Sequence, residues 1–478
     1  MKIAIEGCCH GQLDDIYGTI AYLEEKEQCK IDLVLICGDF QAIRNEGDLQ
    51  CMAVPPKYRA MGSFWKYYTG QLKAPYPTIF IGGNHEASNY MWELYHGGWV
   101  CENIYYLGNA GVINYNGIRI GGLSGIFKEN DYNKGHFESS PYGQYDIKSV
   151  YHVRQYDVAK LAQIRQPMDV FLSHDWPRGV ERFGDLRSLV RKKPFFEREI
   201  RENSLGSRAN EELLTILQPK WWFSAHLHVH FAALVDHEKW KKNEYSESAE
   251  LVLYGSKRQQ HPVHNPDEIL IEDELAASAR TAAVPNPDEV PIDLDDDDIQ
   301  SDSPAVNEMI VTDSHSTPVS DPPSRTTRFL SLDKCLPRRQ FLQIVDIPTP
   351  ENAKDGFFYD LEWLAITRAM HPYLSLARQA SRLPSKEDLK QSVEQELLYL
   401  NMQLDMDELD LRIPSNFTAS SPAFDPSVPK SPEQIHQLEY PFINPQTVEF
   451  CNLIGIENKI NPHAQRFVAP ATDNERKT

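Results

Sequence analysis

Short apolar runs alternate with longer amphipathic or polar stretches through the first half of the chain. The runs are Ile3-Ala4-Ile5, Leu33-Val34-Leu35-Ile36, Thr78-Ile79-Phe80-Ile81, Val170-Phe171-Leu172 and Trp221-Trp222-Phe223. Runs this short, rich in β-branched and aromatic residues, predict buried strands. Between them, residues 14–27, 58–69 and 156–165 carry helical spacing. Strands alternating with helices predict an α/β architecture over residues 1–245. One stretch breaks the alternation. Residues 128–154 are polar, carry Gly and Pro, and show no sustained period. That is long for a connection, which predicts a functional or mobile loop.

The pattern fades over residues 246–325, where Asp, Pro, Ser and Ala dominate. Such a segment buries too little apolar surface to offset its ordering entropy, so disorder is expected. It also explains the charge. The chain of 478 residues carries a net −21, but residues 265–325 hold 16 acidic residues against 2 arginines. That segment contributes −14 and leaves −7 for the rest, so basic patches remain available elsewhere. Order is expected again at Phe329-Leu330-Ser331-Leu332 and Phe341-Leu342-Gln343-Ile344-Val345, which read as strands. Residues 357–404 carry helical spacing at Leu361, Leu364, Ala365 and Arg368, a small helical appendage expected only to pack. From Pro414 onward Pro, Ser and Asn predict a mobile tail. The 8 cysteines are dispersed, unlike a secreted disulfide scaffold. No apolar stretch approaches the ~20 residues of a membrane span. A soluble intracellular protein with no membrane partner is expected.

The candidate chemistry sits where the apolar runs end. Cys8 and His10, Asp39, Asn84 and His85, His174, and His226 and His228 each follow one predicted strand. In an open α/β sheet, sites collect at strand ends. Cys8 and His10 are two apart, which puts them on one side of an extended chain, with Cys9 facing away; His226 and His228 repeat the spacing. Each residue alone says little, but the ordered set suits a two-metal centre. Two divalent ions ~3.5–4 Å apart can clamp a phosphate and activate a water. Asp39 is the candidate bridge. Cys8, His10 and His228 would serve one ion, and Asn84, His174 and His226 the other. His85 is the candidate general acid. Glu86 could orient His85 or cap the following helix, and the cap is the preferred reading.

These motifs resemble those of the calcineurin-like metallophosphoesterases, whose pattern is Asp-x-His, Gly-Asp-x-x-Asp, Gly-Asn-His-Glu/Asp, His and Gly-His-x-His. The chain departs at Cys8, Ala42 and Ala225, where that pattern has Asp, Asp and Gly. All three departures are similar to the RNA lariat debranching enzymes. So are Ser173-His174-Asp175-Trp176-Pro177 and the run from Asp333 to Leu342. The resemblance spans roughly residues 1–245 and 326–400. It implies a β-sandwich of the metallophosphoesterase type flanked by helices, with the acidic segment inserted before the closing strands. The expected organisation is a catalytic core over 1–245, a disordered insert over 246–325, closing strands over 326–350, a helical C-terminal domain over 351–411 and a mobile tail over 412–478.

The resemblance further implies hydrolysis of the 2′,5′-phosphodiester at an intron lariat branch point. A linear intron with a 5′-phosphate and a free 2′-hydroxyl would result, in nuclear intron turnover. A thiolate ligand favours Zn²⁺ or Fe²⁺, with Mn²⁺ usable. Branched RNA is the implied substrate; protein partners of the acidic insert are unknown. Residues 128–154 then read as a recognition loop, because splayed bases stack on aromatic and Arg side chains. Its candidates are Tyr132, Tyr142, Tyr145, Tyr151, His152 and Arg154. The alternatives are a phosphoesterase for nucleotides, linear nucleic acid or phosphoproteins, and an RNA-binding scaffold on an inactive fold. A scaffold would be free to lose several ligands. Here one is exchanged for another competent ligand.

Overall fold

All five early apolar runs form strands, and they are buried because both faces of each sheet are covered. In the computed structural model, residues 1–244 and 325–464, apart from 439 and 463, are described. The expected insert, except Arg325, and the end of the tail lie outside them. One sheet has six strands in the order β12-β1-β2-β3-β5-β4. Here β1 is Lys2–Glu6, β2 Leu33–Ile36, β3 Thr78–Phe80, β4 Gly98–Cys101, β5 Ile104–Tyr106 and β12 Leu342–Asp346. The other has seven, in the order β10-β11-β9-β8-β7-β6-β13. Its strands are β6 Ala110–Tyr115, β7 Ile118–Leu123, β8 Val170–Ser173, β9 Trp221–Ser224, β10 Phe231–Asp236, β11 Thr326–Ser331 and β13 Phe357–Tyr359.

The two sheets face each other. Ile3, Ile5, Leu33, Leu35 and Ile79 of the first meet Ile120, Val170, Leu172, Phe223 and Leu330 of the second in one apolar cluster. On the outer face of the first sheet, Ala4, Val34 and Phe80 pack under the helix Leu13–Glu27 with Ile16 and Ile20. On the outer face of the second, Phe171, Trp222 and Phe329 pack under helices that include Gln155–Leu161 and Arg208–Leu217. The result is a β-sandwich between helical layers. β1, β2, β3 and β5 run parallel, as do β7, β8, β9 and β11, so the parallel strands of each sheet end together. Among the described residues no helix is long and apolar enough to cross a membrane.

Several elements differ from expectation. The helix expected over 58–69 shrinks to Phe64–Tyr68. It is interrupted at Gly62, whose φ of +59° and tight approach to Gly11 exclude a helix there. The two late strands do form, each in a different sheet: β11 lies between β10 and β9, and β12 pairs antiparallel with β1. Residues 357–404 pack as expected but are not helical throughout. They open with β13, an edge strand paired antiparallel with β6. The helix Leu361–Met370 then buries Trp363, Ile366 and Met370 in the main core, and Lys386–Asp405 follows.

The expected mobile tail is also a correction. Through residue 462 it lies back along the core. Trp99 Nε1 donates to Pro414 O (2.8 Å), and Gln446 brackets the Trp99 backbone with two 2.8 Å bonds. A helix forms at Pro445–Leu453, capped by Asn444. A Pro- and Ser-rich sequence is held here by hydrogen bonds to the core rather than by a periodic apolar face.

Candidate metal centre

The ends of the parallel strands bring the seven expected ligand residues together around Asp39. Ligand atoms of Cys8, His10, Asp39 and His228 all lie within 4.8 Å of one another. His10 Nε2 is 3.5 Å from His228 Nε2 and 3.6 Å from Asp39 Oδ2. The other carboxylate oxygen, Asp39 Oδ1, faces His174 Nε2 at 3.4 Å. His174 Nε2 is 3.2 Å from Asn84 Oδ1, and its ring lies 5.0 Å from that of His226. Asp39 thus turns one oxygen to each half of the donor set.

The backbone explains the convergence. His10, Asp39, His226 and His228 have φ values of 45°, 48°, 63° and 47°. These are left-handed conformations that non-glycine residues rarely adopt, and they gather at functional sites. Cys8 and His10 therefore converge through a turn, not through the alternation of an extended strand as expected. The same holds for His226 and His228, which reach different halves. Two glycines allow the close packing. A Cβ on Gly38 would sit 2.3 Å from His174 Nδ1, and one on Gly83 would sit 2.2 Å from Asp39 Oδ1.

Glu86 neither orients His85 nor caps the helix Ser88–Glu93. Its carboxylate accepts three backbone N–H bonds: Phe40 (2.8 Å), Gly83 (2.9 Å) and Gln41 (2.8 Å). It ties the Asp39 loop to the Asn84 loop. The spacing Gly83-x-x-Glu86 was the available signal, but a carboxylate reaching into a neighbouring loop has no local signature. The Cys37 carbonyl was also missed. It takes the Nδ1–H of His174 (2.8 Å) and so leaves Nε2 facing the centre.

Three of the four expected ligand histidines are held neutral by burial. Burial lowers the pKa of His10 to about 4 and of His226 to about 3, and lowers that of His228 well below the usual value. These rings are neutral at pH 7 and offer lone pairs. Burial would raise the Asp39 pKa, but His174, His85 and His10 outweigh it and hold the carboxylate ionised. Cys8 is fully buried, and burial with Asp39 and Glu6 pushes its thiol up. Its Sγ accepts from His226 N (3.2 Å). His174 differs: burial lowers its pKa, but Asp39 outweighs burial and raises it, and with Nδ1 committed to Cys37 its Nε2 faces Asn84 Oδ1 and Asp39 Oδ1. Cys8 Sγ, an Asp39 oxygen and a nitrogen each from His10 and His228 lie within 4.8 Å of one another, and that mix of sulfur, oxygen and imidazole donors fits a divalent metal ion. His85, buried at the rim, places Nε2 3.1 Å from Asn84 Nδ2, and its amide donates to Asp39 Oδ1 (2.8 Å).

The loop candidates divide. Tyr145 is 74 % exposed, and Tyr132 and Tyr151 are half-buried. His152 Nδ1 bonds Asp131 Oδ2 (2.6 Å). Arg154 and Tyr142 are corrections, because both point inward. Arg154 is fully buried, donating to Glu138 Oε1 (2.5 Å), Asp131 O (3.0 Å) and Ser149 O (3.1 Å). Tyr142 is buried, and its backbone bonds Gln437. Arg154 organises the loop from within and is not available to stack a base.

A sandwich of two mixed sheets with Asp, Asn, His and Cys donors at its strand ends defines a calcineurin-like phosphoesterase, and residues 1–230 match that family. Residues 324–459 match the C-terminal domain of the lariat debranching enzyme. The chain is 42 % identical to lariat debranching enzyme A of Xenopus laevis over 470 residues, 97 % of this chain and 72 % of the relative. It is 42 % identical to the Homo sapiens lariat debranching enzyme over 459 residues, 95 % and 69 % of the two chains. Against the Arabidopsis thaliana enzyme the identity is 41 % over 462 residues, 95 % and 86 %. The chain belongs to the lariat debranching enzymes.

Proposed function

We propose that this chain is a metal-dependent phosphodiesterase that hydrolyses the 2′,5′-phosphodiester at the branch of excised lariat RNA. The products would be linear RNA with a 5′-phosphate and a free 2′-hydroxyl, in intron turnover in the nucleus. One observation carries the reading. In a chain of this family, Cys8 stands among a full set of donors around Asp39 instead of the usual Asp.

Ions bound there would supply positive charge to the phosphoryl oxygens and an activated water. The soft Cys8 thiolate and the imidazoles favour Fe²⁺ or Zn²⁺ over harder ions, with Mn²⁺ usable. Cys8, His10 and His228 would hold one ion and Asn84, His174 and His226 the other, with Asp39 shared. Glu86 fixes the Asp39 and Asn84 loops through their amides, so neither donor reorients when an anion arrives. Burial lowers the His85 pKa, and an anionic phosphodiester beside the ring works the other way. His85 can then carry the proton that the departing 2′-oxygen needs.

The test compares 2′,5′-branched RNA with linear 3′,5′ RNA of the same sequence, using protein purified without air and assayed for metals. Cleavage confined to the branch, with iron or zinc bound, is expected. Equal cleavage of linear RNA would move the chain to a general phosphodiesterase.

A further inference from the structure

The tail grips the expected recognition loop through a side-chain amide. Gln437 Oε1 accepts from Tyr142 N (2.6 Å), and Gln437 Nε2 donates to Tyr142 O (2.9 Å). These are the two bonds that a neighbouring antiparallel strand would make to one residue. The Tyr142 ring is buried with Val150 against Cys51, and Ile147 and Tyr151 pack around them. Between the two buried residues the chain rises: Gly143, Gln144 and Tyr145 are exposed, and residues 146–149 are half-buried. Residues 143–149 thus form a tip carried on two anchors, with Tyr145 74 % exposed upon it.

The base of the loop adjoins the loops that carry Asp39 and His85. Cys51 follows the helix Glu46–Leu49, which leads on from Asp39. Val150, Tyr151 and His152 share a cavity with Gly82, Gly83 and Glu86, on either side of Asn84 and His85 in the chain. The first limb of the loop is fixed by backbone alone at Gly135 N, which donates to Arg378 O (3.2 Å), and at His136 N, which donates to Ser375 O (2.9 Å). At Tyr142 a side chain makes the bonds, so one substitution can release them.

An aromatic ring stacks on any base, since every base has a π-face. The contact is strongest when the ring already stands where the base arrives, because a tip ordered only on binding subtracts its entropy from the affinity. Gln437 lies outside the donor set. Resting on the branched-RNA reading above, we propose that Gln437 is a positioning residue: by pinning Tyr142 it fixes the loop tip, so that Tyr145 stands ready to stack on a base beside the branch.

The experiment combines two substitutions in the full chain, assayed on a branched RNA with all three arms. Gln437→Met keeps the length of the side chain and removes its polar atoms. It should raise KM about tenfold, as the competent fraction of the loop falls to about a tenth. Its kcat and bound metal should hold, and the Tyr142 amide should exchange faster with solvent deuterium. Tyr145→Ala should raise KM about tenfold as well, the weight of one stacked base. The double variant should raise KM no further than the larger single effect, because Gln437 has nothing to position once the ring is gone. Losses that multiply would overturn the proposal. So would an unchanged KM in either single variant, or unchanged exchange at Tyr142 in Gln437→Met. A fall in kcat or bound metal from Gln437→Met would overturn it too, since the amide would then support the centre itself. Failure of the parent chain to cleave the branched RNA would instead strike the functional reading on which the proposal rests.

Discussion

Single residues at the centre carry separable jobs. His85 sits at the rim with Nε2 against Asn84, but the donor atoms around Asp39 come from other side chains. His85→Ala should therefore keep its metal content while turnover falls ~10²–10⁴-fold, the usual weight of a general acid. Near-normal turnover in a metal-replete variant would remove His85 from the mechanism. Cys8 and Cys9 are adjacent and both buried, yet they face different surroundings. Cys8 meets Asp39 and His226, whereas Cys9 joins the apolar cluster under the first helix. Cys8→Asp should shift activation from iron or zinc toward manganese, as a hard oxygen replaces a soft sulfur. Cys9→Ala should cost only packing, about 1–2 kcal/mol, in urea unfolding. Metal lost from Cys9→Ala but kept by Cys8→Ala would reverse the assignment.

At the scale of elements, the donors were legible because each follows an apolar run, and a parallel strand must end where its neighbours end. The turns were not. Spacing of two suggested extended chain at Cys8 and His10, while the left-handed φ of His10 comes from a tertiary demand that no local pattern records. Glu86 was misread because its partners, Phe40 and Gln41, are distant in sequence. In the expected recognition loop, aromatic and basic composition could not separate Tyr145, which faces solvent, from Arg154, which does not. A second buried cation, Lys160, joins the helix Gln155–Leu161 to Leu361–Met370, lying 4.5 Å over the Trp363 ring. Burial lowers its pKa to about 8, against the pull of Asp157. A lysine so depressed contributes stability above its ordinary value near 10.4 and loses it as pH falls through 8. At pH 7 the buried charge is a cost. Lys160→Met should thus match or exceed the parent in stability at pH 7, by up to about 3 kcal/mol, with the advantage fading toward pH 10. Urea midpoints of both proteins across that range decide it; a difference independent of pH would show that packing, not charge, governs the site.

For the whole molecule, two low-complexity regions that read alike in the sequence are expected to behave oppositely. The segment after Pro414 closes over a buried ionic network. Arg44 is fully buried, bonded to Asp48 (2.8 Å), Glu93 (2.9 Å) and Ser420 (3.0 Å), and stacked 3.9 Å over Tyr90. Ser420 in turn donates to Glu93 (2.7 Å), and Phe424 N donates to Arg44 O (2.7 Å). Arg44 lies five positions after Asp39, and Glu93 belongs to the helix that follows His85, so the tail braces the loops that carry Asp39 and His85. Removing residues after Ile413 would take Ser420 from that network and strip Phe450, Cys451 and Ile454 from their apolar cluster, a loss of at least about 3 kcal/mol. Turnover should fall with it. Residues 267–320 stand otherwise. The chain leaves the sandwich after β10 and returns at β11, whose register pairs Asp236 with Thr326, and His237 N meets Arg325 O at 3.1 Å. The two ends are already side by side, so shortening the connection changes closure entropy by less than about 1 kcal/mol. Deleting 267–320 should leave the urea midpoint and cleavage of branched RNA near those of the parent. A silent tail truncation together with a damaging insert deletion would show that the brace had been assigned to the wrong segment.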